Sequence, residues 1–155
     1  MTFKTATLAT VIFLCAATVA SAERSGSEPE TNSKRDVLDW AARELDLTGW
    51  YYVTHAIDHS LFMSRPYHET TPSLFMVKLR AERFRVADTG EMSLISDAEV
   101  DCSAHRTRLL GTIAFAKRNL RKPVVFTRKA DGWRNPENTI MDDVYQAICL
   151  APPNL

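Results

Sequence analysis

At 155 residues the chain has room for one folded domain and not for two. With 45% hydrophobic and 25% charged residues, five Gly and seven Pro, it falls outside the collagen-like, low-complexity and wholly disordered classes. Nineteen Lys and Arg balance nineteen Asp and Glu, so bulk charge supplies no drive toward nucleic acid or a membrane surface.

The first segment reads as an export signal. Lys4 precedes an uncharged run over residues 6–20 that carries Leu8, Val11, Ile12, Phe13 and Leu14. Ala20-Ser21-Ala22 then supplies the small-x-small pattern of a signal-peptidase site. The run is shorter than the roughly 20 apolar residues of a spanning helix. Leu14 stands where a lipid-attachment signal wants a small residue before Cys15, so residues 1–22 are expected to be removed and Cys15 with them. The mature chain keeps 133 residues and two cysteines, Cys102 and Cys149. An even count in an exported protein points to a disulfide, because oxidising compartments retain such bonds and the cytosol does not. The competing reading is a reactive or metal-binding thiol, but metal sites favour closely spaced pairs and no C-x-x-C is present.

Residues 23–33, ERSGSEPETNS, contain no large apolar side chain and read as a solvated tether. Ser33 followed by Asp36 is a helix start signal. Val37, Leu38, Trp40, Ala41 and Leu45 recur at helical spacing, which predicts a helix over 34–47 stopped by Gly49. Aromatic and β-branched residues then predict strands at 50–54, 61–64 and 74–79, with a loop between Pro66 and Pro72. Arg83 and Arg85 alternate with Phe84 and Val86, the pattern of a half-buried strand, and Asp88-Thr89-Gly90 is turn chemistry. Residues 91–102 and 106–116 are further strand candidates, the second also compatible with a helix. Residues 124–127 and Trp133 flank Asp131-Gly132, a hairpin signal. Asn138 is placed to cap a last helix through Leu150, with Ile140, Met141, Val144, Tyr145 and Ile148 on one side, before Pro152-Pro153. The fold expected over 34–155 is a single α+β domain. An antiparallel sheet lies between an N-terminal and a C-terminal helix, clamped by a Cys102–Cys149 disulfide.

No nucleophile elbow, metal-protease motif, phosphate loop or dinucleotide fingerprint occurs, so no catalytic residue, cofactor or metal site is expected. His55 and His59, with Asp58 between them and His68 and His105 elsewhere, make a weak metal or haem candidate. Their segment reads as strand and turn, where that spacing does not converge. Glu99 and Asp101 share a strand face, and Asp142-Asp143 suits the start of a helix. Charge is distributed unevenly: residues 78–134 hold thirteen Lys and Arg against seven Asp and Glu. Arg80, Arg83, Arg85, Arg106 and Arg108 are therefore the candidate residues for a polyanion or a protein partner. The competing reading is a mixed face whose arginines meet acids of the same molecule.

Five elements taken together resemble the bacterial surface-adhesin protein E-like family. They are Trp50-Tyr51-Tyr52, Ser93 leading to Glu99-Val100-Asp101-Cys102, Arg106 with Arg108, Trp133, and Ala147-Ile148-Cys149. The likeness spans residues 49–150. It implies an antiparallel sheet with a packed helix tied by a disulfide at Cys102 and Cys149. The family's namesake is an outer-surface adhesin that binds host matrix and serum proteins and has been linked to haem. This chain departs from it in lacking a lipid-attachment motif, which favours a periplasmic home over surface anchoring. The functional expectation is an exported, non-enzymatic binding module, adhesin-like, taking a host matrix protein or a polyanion such as a heparin-like glycan. Nucleic acid and stable membrane insertion are not expected. The alternative is a periplasmic inhibitor or immunity-type protein that blocks a partner enzyme with the loop between Pro66 and Pro72.

Overall fold

The computed structural model describes residues 28–68, 71–128 and 130–150. The expected signal segment 1–22, the first part of the tether and Pro152-Pro153 lie outside the described residues. Ser33 Oγ accepts from the backbone N–H of Asp36 at 3.2 Å and opens helix α1 (Lys34–Glu44), as the S-x-x-D spacing predicts. The helix is shorter than expected. Leu45 is already extended, Asp46 Oδ1 accepts from the Thr48 N–H in an Asx-turn, and Gly49 at φ 78° redirects the chain.

Seven strands follow: β1 (Tyr51–His55), β2 (His59–Met63), β3 (Tyr67–His68), β4 (Leu74–Arg83), β5 (Ser93–Asp101), β6 (Arg106–Lys117) and β7 (Arg121–Arg128). They form one antiparallel sheet in the order β1-β2-β4-β5-β6-β7, with the short β3 pairing with β4 beyond the end of β2. Alternation along the strands then divides the side chains between two faces. Leu61, Met63, Val77, Leu79, Ala98 and Val100 form one buried cluster with Val144 and Tyr145 of helix α2 (Ile140–Tyr145). Phe62 points the other way and joins Phe84 and Val37, Trp40, Ala41 and Leu45 of the α1 region. The result is an α+β domain of three layers, helix, sheet and helix.

Three local expectations are corrected. The strand read at 83–86 does not form: β4 ends at Arg83, the Phe84 N–H turns to Asp58 O, and Phe84 packs edge-on to Trp40 at 5.0 Å. Val86 is left 62% exposed. Asp131-Gly132 makes no hairpin, because the chain leaving β7 returns to the first half of β6. There the Asp131 N–H donates to Leu109 O, and Arg134 exchanges both backbone bonds with Thr107. The tight hairpin is instead the turn at Arg118–Leu120 between β6 and β7. The last helix is capped by Thr139, whose Oγ1 accepts from the Met141 N–H at 3.2 Å, while Asn138 sits at φ 59° just before it. Beyond Tyr145 the chain continues as a π-helical turn, Gln146–Leu150.

The disulfide is present. Cys102 leaves the end of β5 and Cys149 lies in the π turn, with their Cα atoms 5.6 Å apart. Tyr145 Oη donates to Cys102 O at 3.2 Å and its ring stacks on His105 at 4.4 Å. The terminal helix is thus held to the sheet by a covalent bond, a hydrogen bond and a ring contact within one turn. No helix among the described residues is long and apolar enough to cross a membrane.

Candidate functional site

The five candidate arginines are dispersed over three environments. Arg80 lies under α1 with 3% of its side chain exposed, so it is a core residue and not part of an exposed face. Its Nε donates to Glu82 Oε1 at 2.7 Å, Nη1 to Asp46 O at 2.6 Å and Nη2 to Asn119 Oδ1 at 2.8 Å. Glu82 is fully buried, and its Oε2 finds no donor. Burial therefore pushes the Glu82 carboxyl above its ordinary 4.5, although Arg80 pulls it down.

Arg83 and Arg85 sit where β4 gives way to the loop. Arg83 joins Asp58 at 2.6 Å and Glu91 at 3.0 Å, and Arg85 meets Glu28 at 2.6 Å. They border an open cavity of about 940 Å³, enclosed by residues 28–32, the Ile57-Asp58 turn and the loop through Val86 and Thr89. The end of the tether is therefore packed rather than free. Thr31 O accepts from His55 Nε2–H at 2.9 Å, which leaves Nδ1 to accept the Tyr52 hydroxyl proton at 2.5 Å.

Arg106 and Arg108 form the third environment. Period-2 geometry puts both on one face of β6, and the register sets them opposite Asp101 and Glu99 of β5. Arg106 Nη2 lies 3.0 Å from Asp101 Oδ2, and Arg108 Nε donates to Glu99 Oε2. The two guanidinium carbons also stand 4.6 Å and 4.4 Å from the centroid of one indole, Trp133. The backbone pairing of Arg134 with Thr107 brings that indole alongside β6. The Ser103 hydroxyl, together with the Ala104 N–H and Arg106, holds the Asp101 carboxyl below its ordinary 3.8. Next along β4 and β5, Lys78 and Asp97 pair across the strands at 2.6 Å. Acids and bases thus alternate across this face.

His55, His59 and His105 do not converge. His55 and His59 lie on opposite strands of the β1–β2 hairpin, and His59 Nδ1 donates instead to Asp58 at 2.7 Å. His105 stacks on Tyr145, and His68 lies in β3. Among the described residues no group of three or more His, Cys, Asp or Glu is arranged to hold a metal. The loop between Pro66 and Pro72 is part strand, Tyr67 pairing with Met76, and its residues 69–70 lie outside the described set. Sequence reasoning named both arginines of the third environment but missed Trp133 as their platform. The available signal was an Arg-x-Arg strand face in a domain with a late Trp. No family model, no curated protein and no solved structure matches the chain.

Proposed function

We propose that the chain is an exported, non-enzymatic binding module that meets a protein partner at the Arg106–Trp133–Arg108 patch. One observation carries the reading: two arginines, 45% and 35% exposed, flank a single indole at the end of the α1-side sheet face farthest from Phe62 and Arg80. Arg and Trp dominate the energetic centres of protein interfaces, and stacking pre-organises these side chains so that little rotamer freedom is lost on docking. Asp101 and Glu99 already neutralise the two charges, which weakens any long-range pull on a polyanion. That balance favours a protein surface over a heparin-like chain at this patch. The disulfide supports the export half of the reading, since cytosolic thiols stay reduced. The resemblance to the surface-adhesin protein E-like family supports an adhesin-like role.

Solid-phase binding of the oxidised protein to immobilised matrix proteins tests the reading, with heparin as a second surface. Saturable binding to a matrix protein that falls at least tenfold in Trp133→Ala, and survives moderate salt, is the expected result. Binding unchanged in Trp133→Ala and Arg108→Ala would remove the patch from consideration. Protease accessibility on intact cells, with cell fractionation, then separates a surface location from a periplasmic one.

A further inference from the structure

We propose that the tip of the β6–β7 hairpin is a docking point for an anionic phospholipid surface. Four of the six residues from Lys117 to Lys122 are basic and none is acidic. Arg118 is turned inward: its Nη1 lies 3.7 Å from Glu44, its Nη2 donates to Phe84 O, and its guanidinium lies over Trp40. Lys117, Arg121 and Lys122 face solvent, and the register places Lys117 directly across from Arg121. Among the described residues, neither Arg121 nor Lys122 has a carboxylate within ion-pair distance, in contrast to all five arginines described above.

The backbone of the tip is also strained. Asn119, Leu120 and Lys122 have φ of 60°, 53° and 60°, the left-handed region that side chains other than glycine avoid. At Asn119 and Leu120 the conformation is held by bonds to distant parts of the fold. Asn119 Oδ1 accepts from the Asp46 N–H and from Arg80, its Nδ2 donates to Glu44 O, and its backbone N–H donates to Glu82. The Leu120 N–H donates to Ser93 Oγ. Backbone held in this way against its preference, displaying the charges of Arg121 and Lys122, is what a pre-organised contact requires.

A planar lipid surface fits the display better than a linear polyanion. A polymer follows a stripe of cations, and the stripe along this sheet is interrupted by Asp97, Glu99 and Asp101. A hairpin end needs no track to touch a plane, and exposed Pro123 and Val124 follow the cations as apolar contact for the headgroup boundary. This site is independent of the Arg106–Trp133–Arg108 patch, which lies toward the other end of β6, roughly 30 Å away at strand spacing.

The test is co-sedimentation of the oxidised protein with vesicles of equimolar phosphatidylglycerol and phosphatidylcholine, and with phosphatidylcholine alone, at low and physiological salt. Binding to the anionic vesicles only, weakened by salt, is expected. Losing one cation should weaken partitioning by about fivefold, and the double reversal Arg121→Glu/Lys122→Glu by more than tenfold. Arg121→Gln/Lys122→Gln, with an unchanged melting midpoint, separates charge loss from misfolding, and Arg35→Glu on α1 should have no effect. The proposal fails if the anionic vesicles bind nothing at low salt or bind the reversed variant equally. It also fails if a soluble sulfated polysaccharide is bound more tightly through the same residues.

Discussion

Asp101 joins the partner patch to the fold. Its carboxylate accepts from the Ser103 hydroxyl at 2.8 Å, the Ala104 N–H at 3.0 Å and Arg106 Nε at 3.1 Å, one residue before the disulfide. These contacts hold its pKa below 3.8 in the fold, whereas the unfolded chain titrates near that value. A depressed native pKa means the contribution is complete above the unfolded value and is lost as pH falls through the folded one. We expect Asp101→Asn to lower the melting midpoint at pH 7 and to flatten the decline that the wild type shows as pH falls below the unfolded value of 3.8. Parallel pH–melting curves for the two proteins would refute this. Much of the site was readable at this scale. Glu99-x-Asp101 and Arg106-x-Arg108 each mark one strand face, and the short connection between β5 and β6 brings the two pairs together in antiparallel register. Trp133 was not readable as their platform, because it arrives through a pairing that local pattern does not encode. The burial of Arg80 is hidden from the sequence for the same reason. Alternation shows which face it shares with Glu82 but not that α1 will cover that face.

Turns were the least legible elements. Asp131-Gly132 carries the local chemistry of a hairpin, yet the chain there gains more by pairing with the unoccupied edge of β6. The actual hairpin puts Leu120 at φ 53°, where a turn signal would show Gly. What compensates is Asn119, whose partners come from residues 44, 46, 80 and 82, far away in sequence. Asn119→Ala removes three of those bonds and keeps a strained φ. At about 1 kcal/mol per bond, the loss should be about 3 kcal/mol. Asn119→Gly should recover about 1 kcal/mol of it, since glycine tolerates the conformation. Urea unfolding measures both, and an Ala variant within 0.5 kcal/mol of wild type would show that the turn is held by something other than these bonds. Helices and strands, by contrast, were legible wherever burial follows a local period. α1 and β5 follow from their patterns, and the pattern marks the start of β4 but stops short of its end, because its last residues carry charge.

At the scale of the whole molecule, the disulfide decides whether the third layer stays in place. α2 spans six residues before the π turn, too short to persist on its own, and within it only Val144 and Tyr145 are buried. The bond between Cys102 and Cys149 closes a loop with a sequence separation of 47, which restricts the unfolded chain by about 4 kcal/mol in the entropy model. Cys102→Ser/Cys149→Ser, or wild type under reductant, should therefore lose about that much stability by denaturant midpoint. Equal midpoints would show that packing alone holds the helix. The same variant separates the two proposed contacts. Cys102 adjoins Asp101, which orients Arg106, so reduction should loosen the Arg106–Trp133–Arg108 patch and weaken partner binding. The β6–β7 tip is anchored at the opposite end of the sheet by Asn119 and Ser93, so vesicle binding by the reduced, still folded protein should stay as it was. Loss of both activities together at a concentration of reductant that leaves the fold intact would mean that the two surfaces are coupled through the sheet.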